Sequence, residues 1–70
     1  MLNAPRFMKE YANYISKKYQ SANNISDDNK RYARDGIKSV ISRYEIGLIS
    51  INMAMHTLAE IEYNINNFRE

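Results

Sequence analysis

The best constellation for catalysis or metal binding in this sequence is His56 and Glu60, four residues apart. Residues at this spacing share one face of a helix, so an imidazole and a carboxylate could bind one divalent ion. A third ligand is missing at this pair. No Ser has a neighbouring base, and no glycine-rich loop follows a strand. The sequence therefore predicts no catalytic residues, no metal, no cofactor and no enzymatic activity.

Four basic residues form a ridge on the second predicted helix: Lys30, Arg31, Arg34 and Lys38. Such a ridge could lie along the phosphates of a nucleic acid. Acidic residues of the same helix dilute it: Asp27, Asp28, Asp35 and Glu45. Asp35 is expected to pair with Arg31 or Lys38, which favours a solvated, salt-bridged face. A small nucleic-acid-associated regulator is kept as the alternative function.

Three helices position these residues, and capping residues mark where each helix begins. Asn3 precedes Ala4-Pro5, where an Asn cap and a first-turn Pro predict a helix start. Ser26 precedes two Asp residues, and Ser50 follows Gly47, which suits a left-handed helix stop. The predicted helices span approximately residues 4–21, 27–45 and 51–68.

The predicted helices differ in the width of their apolar faces. The first carries a broad aromatic arc: Phe7, Met8, Tyr11, Ala12, Tyr14, Ile15, Tyr19 and Ala22. The second has a narrow stripe: Ala33, Ile37, Val40, Ile41 and Tyr44. The third has an unbroken heptad seam: Ile51, Ala54, Leu58, Ile61, Ile65 and Phe68. Gly36, beside the stripe, indicates close approach of another helix, and Leu48 with Ile49 is expected to plug the end of the core.

A second apolar flank of the third helix is the predicted partner-binding surface: Met53, Met55, Ala59 and Tyr63. Met and Tyr suit adaptable, desolvated contacts. The apolar stripe of the second helix is too narrow to cover this flank. The first helix, a second copy of the chain or a partner protein must therefore cover it. The sequence favours a small adaptor or inhibitor that binds a protein of unknown identity and forms a homo-oligomer, most simply a dimer.

The length and composition set the fold class. A chain of 70 residues has room for one domain with a marginal core, and no disulfide can support it because Cys is absent. The predicted class is all-α, either a three-helix bundle or a helical hairpin plus an N-terminal helix, self-associating. The first helix is basic and the third acidic, which predicts that they lie side by side.

The setting of the protein is inferred from composition alone. No apolar run is long enough to span a bilayer, so no membrane partner is expected, and the absence of Cys favours the cytoplasm. Residues with AT-rich codons are common, which suggests a low-GC bacterium or a phage. The segment from Arg43 to Ser50, with Ala54 and Leu58, resembles the helical hairpins of small bacterial and phage proteins, and this resemblance transfers no functional site to the chain.

Overall fold

A computed structural model describes residues 2–67 of the chain as three α-helices with no strand in that range. In chain order they are α1 (Arg6–Ser21), α2 (Asp27–Glu45) and α3 (Ile51–Asn67). Within the same range, no helix is long and apolar enough to cross a membrane. The predicted all-α class is confirmed, and the predicted seam position Phe68 lies outside the described residues.

The start of α1 differs from the prediction. The helix begins at Arg6, with Pro5 as its N-cap residue and no side-chain cap bond, so Asn3 does not cap it. The reason is the proline ring, which sterically disfavours the helical conformation for the residue before it, here Ala4. The helix therefore cannot include Ala4, and the cap position moves from Asn3 to Pro5 itself.

The starts of α2 and α3 are capped as predicted. The Ser26 hydroxyl accepts a hydrogen bond from the Asn29 amide at 3.2 Å, and the Ser50 hydroxyl accepts one from the Met53 amide at 3.1 Å. Each bond satisfies one of the amides that a helix start leaves unpaired. The two Ser side chains therefore fix where the second and third helices begin.

The turn between α2 and α3 is closed by two backbone hydrogen bonds around a left-handed residue. Gly47 has φ of 81° and donates its N–H to the Tyr44 carbonyl at 3.0 Å. The Leu48 N–H reaches the Arg43 carbonyl at 2.9 Å, which completes a Schellman motif. The predicted left-handed stop at Gly47 is confirmed, and it reverses the chain within a few residues.

Leu48 does not plug the core as predicted, because 69% of it is exposed. In a Schellman motif the side chain at this position normally packs against the residue five positions earlier, which here is the exposed Arg43. Leu48 is therefore held over the outside of the turn. Ile49 does pack against the core, as predicted, and is half-buried.

We expect Gly47→Ala to lower the free energy of unfolding by about 1 kcal/mol, since a left-handed conformation costs a residue with a Cβ about that much. A Cβ at Gly47 would meet no atom within 4 Å, so the cost lies in the backbone and not in a clash. Urea unfolding of the wild type and the variant measures this change in the free energy of unfolding. Gly47→Asn is the control and should cost less, because Asn tolerates this conformation. A Gly47→Ala variant as stable as the wild type would contradict the left-handed turn.

All three helices contribute to one core. The buried residues of α1 are Met8, Ala12, Ile15 and Tyr19. Those of α2 are Ala33, Ile37 and Val40. Those of α3 are Ala54, Leu58, Ile61 and Ile65. The heptad seam of α3 therefore faces the core, whereas the aromatic arc of α1 is broader than its buried face and leaves Phe7 and Tyr14 exposed.

Close contact between α2 and α3 explains the glycine in the middle of α2. The Cδ1 atom of Ile61 lies 3.1 Å from the position that a Cβ of Gly36 would occupy. The missing side chain lets the two helices approach, and this offsets the helix propensity that a Gly forfeits. The predicted close approach at Gly36 is confirmed.

The helix α1 packs against both other helices, so the fold is a closed bundle and not a hairpin with a separate N-terminal helix. The Leu2 N–H donates to the Glu45 carbonyl at 2.7 Å, which holds the start of the chain beside the end of α2. Consequently α1 runs antiparallel to α2 and parallel to α3. The molecule extends 38 Å along its long axis and 18 by 16 Å across it.

Candidate functional site

The pair with the best spacing for metal binding, His56 and Glu60, makes a side-chain contact on the surface. His56 Nε2 lies 3.0 Å from Glu60 Oε1, and both side chains are mostly exposed on the outer face of α3. Within residues 2–67, no group of three or more His, Cys, Asp or Glu residues could hold a metal ion. His56 and Glu60 therefore offer one imidazole nitrogen and one carboxylate at a shallow, open depression, which would leave most of a bound ion in water.

The structure separates the four residues predicted to bind a partner. Met55 is half-buried and packs against the core. Met53 is exposed and lies about 160° around the helix axis from Met55, since each residue turns an α-helix by about 100°. Ala59 and Tyr63 are both exposed and line one shallow depression on the outer face of α3. The structure thus brings two of the four together, and their binding role stays a prediction.

Part of the α3 flank is covered by α1 through a polar cluster, which we name the α1–α3 clasp: Tyr11, Lys18 and Glu62. The Tyr11 hydroxyl donates to Glu62 Oε1 at 2.6 Å, and Lys18 Nζ lies 3.4 Å from Glu62 Oε2. Lys18 also lies 5.6 Å from the ring centroid of Tyr14, which stacks on Tyr11. The expectation that the basic first helix lies beside the acidic third is confirmed by the Lys18–Glu62 pair.

The clasp shifts the pKa values of both hydrogen-bonded groups. Burial, reinforced by the hydrogen bond to Glu62, raises the pKa of Tyr11 to about 12. The hydrogen bond from Tyr11 is the main cause of a lowered pKa at Glu62, with Lys18 adding to it against the opposing effect of burial. The clasp is therefore a neutral phenol bound to a carboxylate over the pH range between these two titrations.

A feature that sequence reasoning missed is a set of exposed apolar side chains at the end of the bundle where α2 turns into α3. Four aliphatic side chains form it, each more than half exposed: Leu2, Ile46, Leu48 and Met53. We name this the turn-end surface. Within residues 2–67 the other large exposed apolar side chains are all aromatic, namely Phe7, Tyr14, Tyr32 and Tyr63. The signal available in the sequence was Arg43, which leaves Leu48 without a core residue to pack against.

The predicted basic ridge borders a cleft of about 390 Å³ between the last turn of α1 and the start of α2. We name it the α1–α2 cleft, and its lining residues are Tyr19, Gln20, Asp27, Lys30, Arg31 and Arg34. Lys38 does not line it. Asp35 lies 3.7 Å from Arg34 Nε, so the predicted pairing of Asp35 with Arg31 or Lys38 is wrong. Adjacent helix residues can meet in this way because the long, flexible side chain of Arg34 can bend over the exposed face towards the short side chain of Asp35.

Two surfaces are thus candidates for recognition, one mainly aliphatic with Arg43 beside it and the other basic. The turn-end surface can bury aliphatic groups, and the α1–α2 cleft can attract anions. No protein-family model, no curated protein and no solved structure matches this chain.

Proposed function

We propose that this chain is a small non-enzymatic protein-binding module, an adaptor or inhibitor, whose partner docks on the turn-end surface. One observation carries the proposal. Every large aliphatic side chain that is exposed within residues 2–67 belongs to this surface. Scattered exposed apolar residues are normal on any protein, but their concentration at one end of an elongated bundle is typical of an interaction site.

The chemistry around the turn-end surface supports a protein partner. The segment from Ile46 to Met53 contains no Asp, Glu, Lys or Arg, and neither does the segment from Leu2 to Pro5. Interface centres are depleted of charge in the same way, because a charge without a partner is costly to bury. Full burial of one such aliphatic side chain contributes about 1.5 to 3 kcal/mol. The partner that fits is an apolar groove or helix face on another protein.

Hydrogen bonds at the turn also fix the backbone that carries these side chains before binding. The two hydrogen bonds of the Schellman motif fix Leu48, and the Ser50 cap fixes the first turn of α3 that carries Met53. The Leu2 amide is fixed by Glu45. A preorganised surface loses less conformational entropy when a partner binds, so a small contact area can still give useful affinity.

A second copy of the chain is the other protein that could cover this surface, which would make the module a homodimer. The packing of α1 on α3 already covers the Met55 side of the third helix. A dimer would therefore form through the turn-end surface and not along the heptad seam. The proposal places the protein in the cytoplasm of a bacterium or a phage-infected cell, which its lack of Cys and its high content of residues with AT-rich codons support.

The test compares Leu48→Asp with Tyr63→Asp, two charge insertions at side chains of nearly equal exposure, 69% and 68%. Both variants should fold, as circular dichroism will check. Immobilised wild type and Tyr63→Asp are expected to retain the same protein from an extract of the source cell, whereas Leu48→Asp should lose it. The reason is that a buried aspartate left unpaired costs several kcal/mol at an apolar interface.

The other outcomes each have a definite meaning. If Tyr63→Asp loses the partner and Leu48→Asp keeps it, the outer face of α3 is the binding surface and the turn-end surface is not. If sedimentation shows a wild-type dimer that Leu48→Asp converts to monomer, the occupant is a second copy. Retention of no protein by the wild type, together with a monomer in solution, would overturn the proposal.

A further inference from the structure

The α1–α2 cleft collects unpaired positive charge on one side of the bundle. Lys30 and Arg31 have no ion-pair partner within residues 2–67. Arg34 meets Asp35 only at 3.7 Å, with both side chains more than half exposed, and such a pair is weak. Asp27 is the one carboxylate that lines the cleft, so the basic side chains there outnumber it.

The charges of the three helices add to the positive potential at the α1–α2 cleft. The helix α1 carries four basic residues and one acidic residue, α2 carries five basic and four acidic, and α3 carries two acidic residues with no Lys or Arg. The side of the molecule formed by α1 and α2 is therefore positive and the side formed by α3 is negative. An anionic ligand would be attracted to the α1–α2 cleft and repelled from the α3 face.

The spacing of the ridge suits an extended anion. Lys30, Arg34 and Lys38 follow each other at intervals of four residues, which places them along one side of α2 over about 12 Å. A nucleic-acid duplex presents about seven phosphate charges over that length. The cleft volume of about 390 Å³ gives room for a phosphate group between Arg31, Arg34 and the end of α1.

The cleft offers no means of reading bases. Its one aromatic residue, Tyr19, is 3% exposed and packs in the core, so it cannot stack on an unpaired base. The basic side chains lie on the flank of a helix whose opposite side is covered by α3, so α2 cannot enter a major groove deeply. Any binding here must come from phosphate contacts and be independent of sequence.

We infer that the α1–α2 cleft, continued by Lys38, binds the phosphodiester backbone of a nucleic acid without sequence preference. This site is separate from the turn-end surface, so a protein partner and a nucleic acid can occupy the molecule together. The number of available basic groups limits the contact to three or four phosphates, which predicts weak, salt-dependent binding.

Fluorescence anisotropy with two labelled duplexes of unrelated sequence tests the inference. Wild-type protein is expected to bind both equally at 50 mM salt and about 40-fold more weakly at 200 mM salt, the change that three phosphate contacts produce. Arg31→Gln/Arg34→Gln should weaken binding about tenfold or more and reduce the slope of log affinity against log salt by about 1.8. Both replaced residues are exposed, so the fold should persist, as circular dichroism will check.

The matched control is Arg6→Gln/Arg43→Gln, which removes the same charge outside the cleft. Arg6 pairs with Glu10 on α1, and Arg43 lines the groove between α2 and α3. The inference requires this control to weaken binding at least threefold less than the cleft variant. Equal losses would show that only net charge matters and would overturn it. Absence of salt-dependent binding, or competition by poly-glutamate as effective as by unlabelled duplex, would also overturn it.

Discussion

Replacing Leu58 with Ala is expected to lower the free energy of unfolding by about 3 kcal/mol. Leu58 is fully buried at the centre of the α3 seam. Removing its side chain loses transfer free energy and leaves a cavity, which together cost about 3 kcal/mol. A single domain of 70 residues has a total stability of about 3 to 10 kcal/mol, so one such loss removes much of it. Urea unfolding followed by helical circular dichroism measures the change.

The same substitution at Leu48 is the control for this prediction. Because Leu48 is largely exposed, Leu48→Ala should change the free energy of unfolding by less than about 0.5 kcal/mol. The two Leu→Ala variants remove the same atoms and differ only in burial. A loss at Leu48 as large as the loss at Leu58 would mean that Leu48 plugs the core, as its sequence position suggested, and would remove the turn-end surface.

Local rules in the sequence predicted most of the fold. The caps at Ser26 and Ser50 depend on side chains within three residues of the amides they satisfy, so sequence spacing alone specifies them. The left-handed stop at Gly47 is equally local. The heptad seam of α3 predicted its buried face because helix periodicity is the same in the sequence and in the folded chain.

The errors arose where two local rules competed. Asn3 is a good capping residue, but the proline two positions later restricts Ala4 and moves the helix start. Leu48 is apolar and lies in a turn between two core helices, yet the Schellman motif directs it towards Arg43 and solvent. Asp35 was predicted to pair with Arg31 or Lys38, which have good helical spacing, but it pairs with its neighbour Arg34. Exposed ion pairs are nearly equal in energy, so helical spacing did not decide the partner.

The candidate sites were less predictable because they combine residues far apart in the chain. Tyr11 and Glu62 meet only when α1 and α3 lie parallel and in the right register, and no sequence spacing encodes that register. The turn-end surface likewise needs Leu2 beside Glu45. The basic ridge was visible in the sequence, but its cleft requires the end of α1 to lie beside it.

The second prediction with a large expected effect concerns the α1–α3 clasp. Tyr11→Phe is expected to lower the free energy of unfolding by about 1.5 kcal/mol at pH 7. The lost bond joins a phenol to a carboxylate at 2.6 Å, and hydrogen bonds to charged groups are among the stronger ones. Lys18 adds less because its side chain is about one-third exposed. Tyr63→Phe, on the exposed face of α3, is the control and should leave stability unchanged.

The pH dependence of the stability difference between wild type and Tyr11→Phe identifies the titrating groups that cause it. The lowered pKa of Glu62 makes its contribution complete above the unfolded value of 4.5, and the contribution is lost as pH falls through the folded pKa. The raised pKa of Tyr11 makes its contribution complete below the unfolded value of 10.0, and it is lost as pH rises from 10 towards about 12. The stability gap between wild type and Tyr11→Phe should therefore be widest between pH 5 and 10 and close at both ends. A gap that stays constant both as pH falls well below 4.5 and as it rises from 10 towards 12 would mean that Tyr11 stabilises the bundle through packing and not through its bond to Glu62.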